Sequence, residues 1–312
     1  MVKTLLIAGV AAIALTAQAE AADTMDFGQH VDVWRIGILG GENEADRLKN
    51  YACLSEYITK EFGVPVELYP ASDYAGVIQS LLAGTIESAH LGASGYAAVY
   101  LQDPDAVEPL VTEAQLDGST GYYSGMYVLA SSDIRSIEDM EGRSLAFADP
   151  NSTSGYLVPS FELNRAGYAL EGSDAFFGQV GFSGGHEQGI VAMLNGQYDA
   201  AVTWISGQGT LEEGYSRGML RNMVDKGALD TSQIREIWRS PLIANGPLVV
   251  RKELPQELKD TYKTFLLGMI DRDADCYRNI TSGEGAGYAE VDHSFYEGIV
   301  EMRRGVMASR RD

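Results

Sequence analysis

Residues 144–163 read Ser-Leu-Ala-Phe-Ala-Asp-Pro-Asn-Ser-Thr-Ser-Gly-Tyr-Leu-Val-Pro-Ser-Phe-Glu-Leu. The first five residues have the apolar character of a buried strand, and from Tyr156 onward the apolar positions recur at helical spacing. Asn151, Ser152, Thr153, Ser154 and Gly155 therefore fall where a strand turns into a helix. A helix start presents unpaired N–H groups and the positive end of the helix dipole. Small hydroxyl residues add donors there, and Gly155 allows a ligand to approach the backbone. Ser and Thr also cap ordinary helices. One cap needs one hydroxyl, so the run alone leaves an anion site and a plain cap both open.

Working outward, strand-like and helix-like stretches alternate on both sides of this junction. Towards the N-terminus, strands are expected at 33–39, 64–69, 88–92 and 107–113, with helices at 44–62 and 74–82. The pattern restarts at 127–130. A short helix at 136–140, the 144–148 strand, a helix at 154–166, a strand at 177–182, a helix at 187–195 and a strand at 199–204 follow. A long polar helix is expected at 211–226, extended runs at 234–238 and 248–250, and helices at 255–270 and 293–306. Such βαβα alternation specifies parallel sheets flanked by helices. The expected architecture is α/β, two hinged lobes with a cleft between them where strand ends and helix starts converge. Lobe I is expected over 24–128 together with 247–312, and lobe II over 129–246.

The N-terminus begins Met1-Val2-Lys3, continues with the apolar run 5–15, and reaches small-residue triplets at 17–19 and 19–21. This is the form of a secretory signal peptide, expected over 1–21, and it is too short to span a bilayer. No Cys stands at the cleavage region, so no lipid anchor is expected. Removing it from 312 residues leaves about 290, enough for two domains. An exported chain permits disulfides, so Cys53 and Cys276 are either a bonded pair or two buried thiols. The net charge of −21 argues against nucleic acid and anionic membranes as partners. It also means that an anion site must work through local, aligned donors.

Five segments together resemble the phosphonate-binding proteins of bacterial ABC importers, of the type II periplasmic binding protein superfamily. They are Asp73-Tyr74-Ala75-Gly76-Val77-Ile78, Gly121-Tyr122-Tyr123-Ser124, Asp149 through Gly155, Gly185-His186-Glu187 and Ser240-Pro241-Leu242-Ile243. Their order and spacing match that family over about residues 33–270. The resemblance implies a periplasmic protein that captures a phosphonate between its lobes and delivers it to an inner-membrane permease. It implies that Ser152, Thr153 and Ser154 hold phosphonate oxygens. His186 would add a donor, charge-assisted when protonated, and Tyr74 and Tyr122 would supply phenol hydroxyls from the first lobe. A monomer without cofactor or metal is expected.

The chain departs from the pattern where members suited to aminoethylphosphonate place acidic side chains around the ligand's ammonium group. The corresponding positions here are Ser206 and Asn245, neither charged. A buried ammonium without a carboxylate carries a large desolvation cost. Trp204 offers an apolar surface instead, which suits a small uncharged substituent, with His90 placed nearby by its position and Glu187 as a reserve counter-charge. The alternatives are a binding protein for phosphite or phosphate, and a receptor that reports to a membrane sensor. An enzyme is disfavoured. No H-E-x-x-H spacing or P-loop is present.

Overall fold

Two six-stranded sheets, joined by two chain crossings, carry the site. The computed structural model describes residues 25–40 and 43–309, so the expected signal peptide lies outside the described residues. In chain order, β1 (Trp34–Ile38), α1 (Glu44–Phe62), β2 (Val66–Pro70), α2 (Tyr74–Leu82), β3 (Ser88–His90), α3 (Ala93–Gln102) and β4 (Val107–Ala114) form the first run. The second run is β5 (Gly121–Leu129), β6 (Ser144–Phe147), α4 (Val158–Arg165), β7 (Gln179–Phe182), α5 (His186–Leu194), β8 (Ala200–Ile205), α6 (Met219–Asp225), β9 (Ile234–Arg239) and β10 (Ile243–Ala244). The chain then returns through β11 (Pro247–Arg251), α7 (Gln256–Leu267), α8 (Met269–Arg272), α9 (Ala274–Thr281), β12 (Gly287–Glu290) and α10 (Glu297–Ser309).

The first sheet has the order β12-β4-β11-β3-β1-β2, and the second has β10-β5-β8-β6-β7 with β9 also paired to β5. β1 runs parallel to β2 and β3, and β6 parallel to β7 and β8. These are the crossovers that the βαβ pattern requires. Both sheets are packed by helices, and β3, β6 and β8 are buried almost throughout. An aromatic cluster of Phe27, Trp34, Phe62 and Tyr262 closes the far side of the first sheet, with Phe27 stacked on Phe62 at 4.1 Å. On that side Cys53 of α1 and Cys276 of α9 form a disulfide with a Cα–Cα distance of 5.8 Å. The bond ties the C-terminal return to the first α/β run.

Several elements differ from expectation. β5 begins at Gly121 and pairs with β8, β9 and β10, so residues 121–128 belong to the second sheet and Tyr122 with them. The helix expected at 211–226 is broken. Gly214, Tyr215 and Gly218 all take positive φ, at 75°, 67° and 130°, which ends any helix, and only Met219–Asp225 remains helical. The break turns Arg217 inward, to 3% exposure. The 255–270 helix divides at Gly268, and α3, α9 and β12 were not anticipated.

The crossings run from β4 to β5 and from β10 to β11. The second is only Asn245-Gly246. A Cβ on Gly246 would lie 1.9 Å from the Leu91 carbonyl oxygen. Only a glycine permits this backbone contact.

Candidate ligand-binding cleft

A cavity of about 160 Å³ lies at these crossings. The first sheet contributes Tyr74, His90 and Glu113 to its walls; the second contributes Tyr122, the Ser152–Ser154 turn, His186, Trp204 and Arg217. Asn245 lines it from the crossing itself.

Helix starts converge on it. Tyr74 is the first residue of α2, whose cap Asp73 accepts a hydrogen bond from Gly76 N–H at 2.8 Å. The N-caps of α3 and α5 are Gly92 and Gly185, which offer no side-chain cap. Their positive ends therefore stay uncompensated by any side chain of their own cap. Between them, Thr153–Leu157 forms a wide π-type turn that leads into α4, the kind of irregularity often found at functional sites.

Within the turn, Ser152 Oγ accepts from Gly155 N–H at 3.0 Å and lies 3.1 Å from His186 Nε2. Thr153 Oγ1 accepts from Ser94 N–H of α3, across the cleft, at 2.9 Å. A hydroxyl has two acceptor positions and one donor. With one acceptor position of each taken by a backbone N–H, the O–H of Ser152 is free for a bound anion when His186 Nε2 is the donor to it, and Thr153 shares its hydroxyl with Tyr122. Ser124 Oγ donates to the Ser154 carbonyl at 2.7 Å and holds the turn against β5. Gly155 serves packing and does not line the cavity: a Cβ there would meet Ala148 Cβ at 2.6 Å and His186 Cε1 at 2.9 Å.

His186 is buried, and burial lowers its pKa to about 4. It is neutral at physiological pH, so the charge-assisted donor expected from the sequence is replaced by a neutral imidazole set between Ser152 and Thr203, the latter at 3.4 Å from Nδ1. Tyr122 is also buried, which raises its pKa against hydrogen bonds to Ser154 and Thr153 that lower it. It stays a phenol, edge-on to Trp204 at 6.2 Å.

At the other end of the cavity stand three charged or chargeable groups. His90 Nε2 lies 3.0 Å from Glu113 Oε1, and Arg217 Nη2 lies 3.7 Å from Glu113 Oε2. The Arg217 guanidinium covers the Trp204 ring at 5.5 Å. Burial pushes the Glu113 pKa up, but His90 and Arg217 outweigh it and hold the carboxylate down at about 2. Glu113 and Arg217 were missed from the sequence. The first closes an apolar strand and the second sat in a stretch read as a polar helix.

Two expected residues do not line the cavity. Ser206 Oγ bonds Ser216 Oγ at 2.8 Å, and Glu187 lies 3.8 Å from Lys226 on the rim. Asn245 does line it, but its Nδ2 donates to the Glu113 carbonyl at 2.8 Å and so braces the crossing.

The profile of the family described as ABC transporter, phosphonate, periplasmic substrate-binding protein matches residues 36–296. The chain belongs to that family. Members are substrate-binding components of transporters and not enzymes. The phosphate-import protein PhnD of Mycolicibacterium smegmatis is 30% identical over 263 residues, which cover 82% of this chain and 75% of that protein. The phosphonates-binding periplasmic protein of Escherichia coli is 28% identical over 236 residues, 74% of this chain and 64% of that one. The solved structure of PhnD1 from Prochlorococcus marinus in complex with methylphosphonate shares the fold. Its TM-score is 0.73 at 20% identity, over 88% of this chain and 98% of that one. The architecture is that of a type II periplasmic binding protein.

Proposed function

We propose that this phosphonate-binding protein holds the phosphonate group against Ser152, Thr153, Ser154, Tyr74 and Tyr122, with neutral His186 positioning the Ser152 hydroxyl, and presents the ligand as a monomer to an inner-membrane permease. The supporting observation is the convergence of three helix starts and a hydroxyl turn on one cavity in a chain of net charge −21. Long-range repulsion opposes anion binding here, so the affinity must come from short, aligned bonds. Each bond to an ionised acceptor contributes about 1.5–3 kcal/mol. These five hydroxyls and one backbone N–H of the turn would give on the order of 9–18 kcal/mol against an association cost of about 4–15. Micromolar to nanomolar binding is within that range.

We also infer that the two sheets belong to lobes that swing about residues 115–120 and 245–246, and that the 1–21 segment is removed on export. Titration calorimetry of refolded, ligand-free protein with methylphosphonate, 2-aminoethylphosphonate, phosphite and phosphate tests the reading. Tight binding of a phosphonate over phosphate supports it, and a tenfold preference for the amine would mean that Glu113 supplies the carboxylate that Ser206 and Asn245 do not.

Phosphate is the second reading, favoured by the name of the M. smegmatis relative. The size of the cavity argues against it. An engineered apolar cavity of about 150 Å³ holds benzene, and a cavity of about 160 Å³ exceeds what a bare tetrahedral oxyanion fills.

A further inference from the structure

The hydroxyl turn accounts for the phosphorus end of a ligand and leaves the ionic corner of the cavity unexplained. Among the described residues, Arg217 Nε and Nη1 are buried without a hydrogen-bond partner. His90 lies 3.0 Å from Glu113 Oε1 and serves that oxygen. The gap of 3.7 Å between Arg217 Nη2 and Glu113 Oε2 is too long for a hydrogen bond. Buried ion pairs are favourable only when their remaining protons and lone pairs are matched, and here Arg217 keeps unmatched N–H groups and meets Glu113 only across the 3.7 Å gap.

Resting on the phosphonate reading, we propose that the Arg217–Glu113 pair is a selectivity site for a hydroxyl on the ligand's organic group, so that the preferred class is hydroxyalkylphosphonates. One oxygen at about 2.8 Å from both atoms spans the gap. A hydroxyl accepts from the guanidinium and donates to the carboxylate at once. An ammonium would match Glu113 but set a cation beside Arg217. A carboxylate would match Arg217 and repel Glu113, and an alkyl group matches neither. Tyr122 lines the same cavity as Thr153, Ser154, Glu113 and Arg217, so one small ligand can meet both sets of groups.

The test is calorimetric titration of the protein with 2-hydroxyethylphosphonate, ethylphosphonate, 2-aminoethylphosphonate, phosphonoacetate and methylphosphonate. The hydroxyl compound is expected to bind at least about tenfold tighter than its ethyl isostere, as one charge-assisted hydrogen bond implies, and tighter than the amine and the carboxylate. Equal binding of hydroxyethyl- and ethylphosphonate, or preference for the amine or the carboxylate, overturns the proposal while methylphosphonate binding keeps the phosphonate reading intact. Failure of every compound overturns both. A Glu113→Leu/Arg217→Met double variant supplies the second measurement, since replacing a whole buried ion pair by apolar residues is commonly tolerated. Its hydroxyethyl-to-ethyl affinity ratio should fall to about one. A merely structural role for the pair would lower both affinities and leave the ratio as it was.

Discussion

The two ends of the cavity are built in opposite ways. The hydroxyl turn is three consecutive residues whose donors are set by the local passage from β6 into α4, and its side chains are neutral. The ionic corner is His90, Glu113 and Arg217, one residue each from β3, β4 and the loop before α6, and it comes together only when both sheets are in place. A contiguous donor set is specified by the chain around it and acts on whatever enters. A corner assembled from distant charges depends on the whole fold, and breaking it exposes the fold to the cost of an unmatched buried charge. Substitutions in the turn should therefore be read in affinity, and substitutions in the corner in stability and selectivity.

The sharpest way to break that contrast is to replace Ser152, Thr153 and Ser154 together by alanine. Loss of three bonds to an ionised ligand, at about 1.5–3 kcal/mol each, should lower phosphonate affinity more than a thousandfold. Stability should fall by about 2–4 kcal/mol, the Ser152 cap together with the buried Ser94 N–H that Thr153 no longer accepts from. Calorimetry and thermal melting check the two halves. An affinity loss below tenfold would place the anion elsewhere. In the corner, Glu113→Ala should instead cost about 3–5 kcal/mol of stability, because Arg217 is left buried alone. The Glu113→Leu/Arg217→Met double variant should cost less than this single one, read as denaturant midpoints. If the single change proves the milder, the corner is solvated and the contrast fails.

The same contrast explains what could be read from the sequence. The βαβ alternation and the 149–155 turn are local patterns, and both are present in the structure where they were expected. Helix α3 escaped because Ala93–Val99 is buried on every side, so it has no polar face to give a period. The 211–226 stretch misled because its charged residues suggest a solvated helix while Gly214 and Gly218 break it. Arg217 and Glu113 were invisible for a related reason: a single charge in a sequence is assigned to solvent by default, and only their spatial meeting reverses that. Tyr122 was assigned to the wrong sheet because the start of β5 was placed six residues late.

Acidification should separate the two ends in order. His186, beside the turn, has a folded pKa of about 4 against its ordinary 6.5. Below pH 6.5 the unfolded chain takes up a proton that the folded chain refuses until about pH 4. Stability present above 6.5 is then lost across that window, by about 3 kcal/mol. Glu113 has a folded pKa of about 2 against its ordinary 4.5, so its contribution is present above pH 4.5 and is lost as pH falls towards 2. Urea midpoints between pH 7 and pH 3 should decline in two stages. In His186→Asn the first stage should disappear and the second remain. A single unchanged decline in that variant would mean that His186 does not control the upper window.

The smallest effect lies on the rim and tests whether closure itself contributes to affinity. Lys226 at the end of α6 lies 2.9 Å from Asp46 of α1 and 3.8 Å from Glu187 of α5, so one lysine bridges the two halves beside the cleft. A partly exposed pair of this kind contributes about 0.2–1 kcal/mol. The contact with Asp46 exists only when the halves are together, whereas that with Glu187 lies within one half, so on the proposed closure removing Lys226 penalises chiefly the closed form. Lys226→Ala should weaken phosphonate binding by no more than about fivefold. The change should appear in the off-rate and shrink as salt rises and screens the pair. Stopped-flow dissociation at low and high ionic strength resolves it. An equal loss at both salt concentrations would mean that Lys226 acts through packing, and that closure rests on contacts such as those of Ser94 with Thr153 and Arg303 with Asn151.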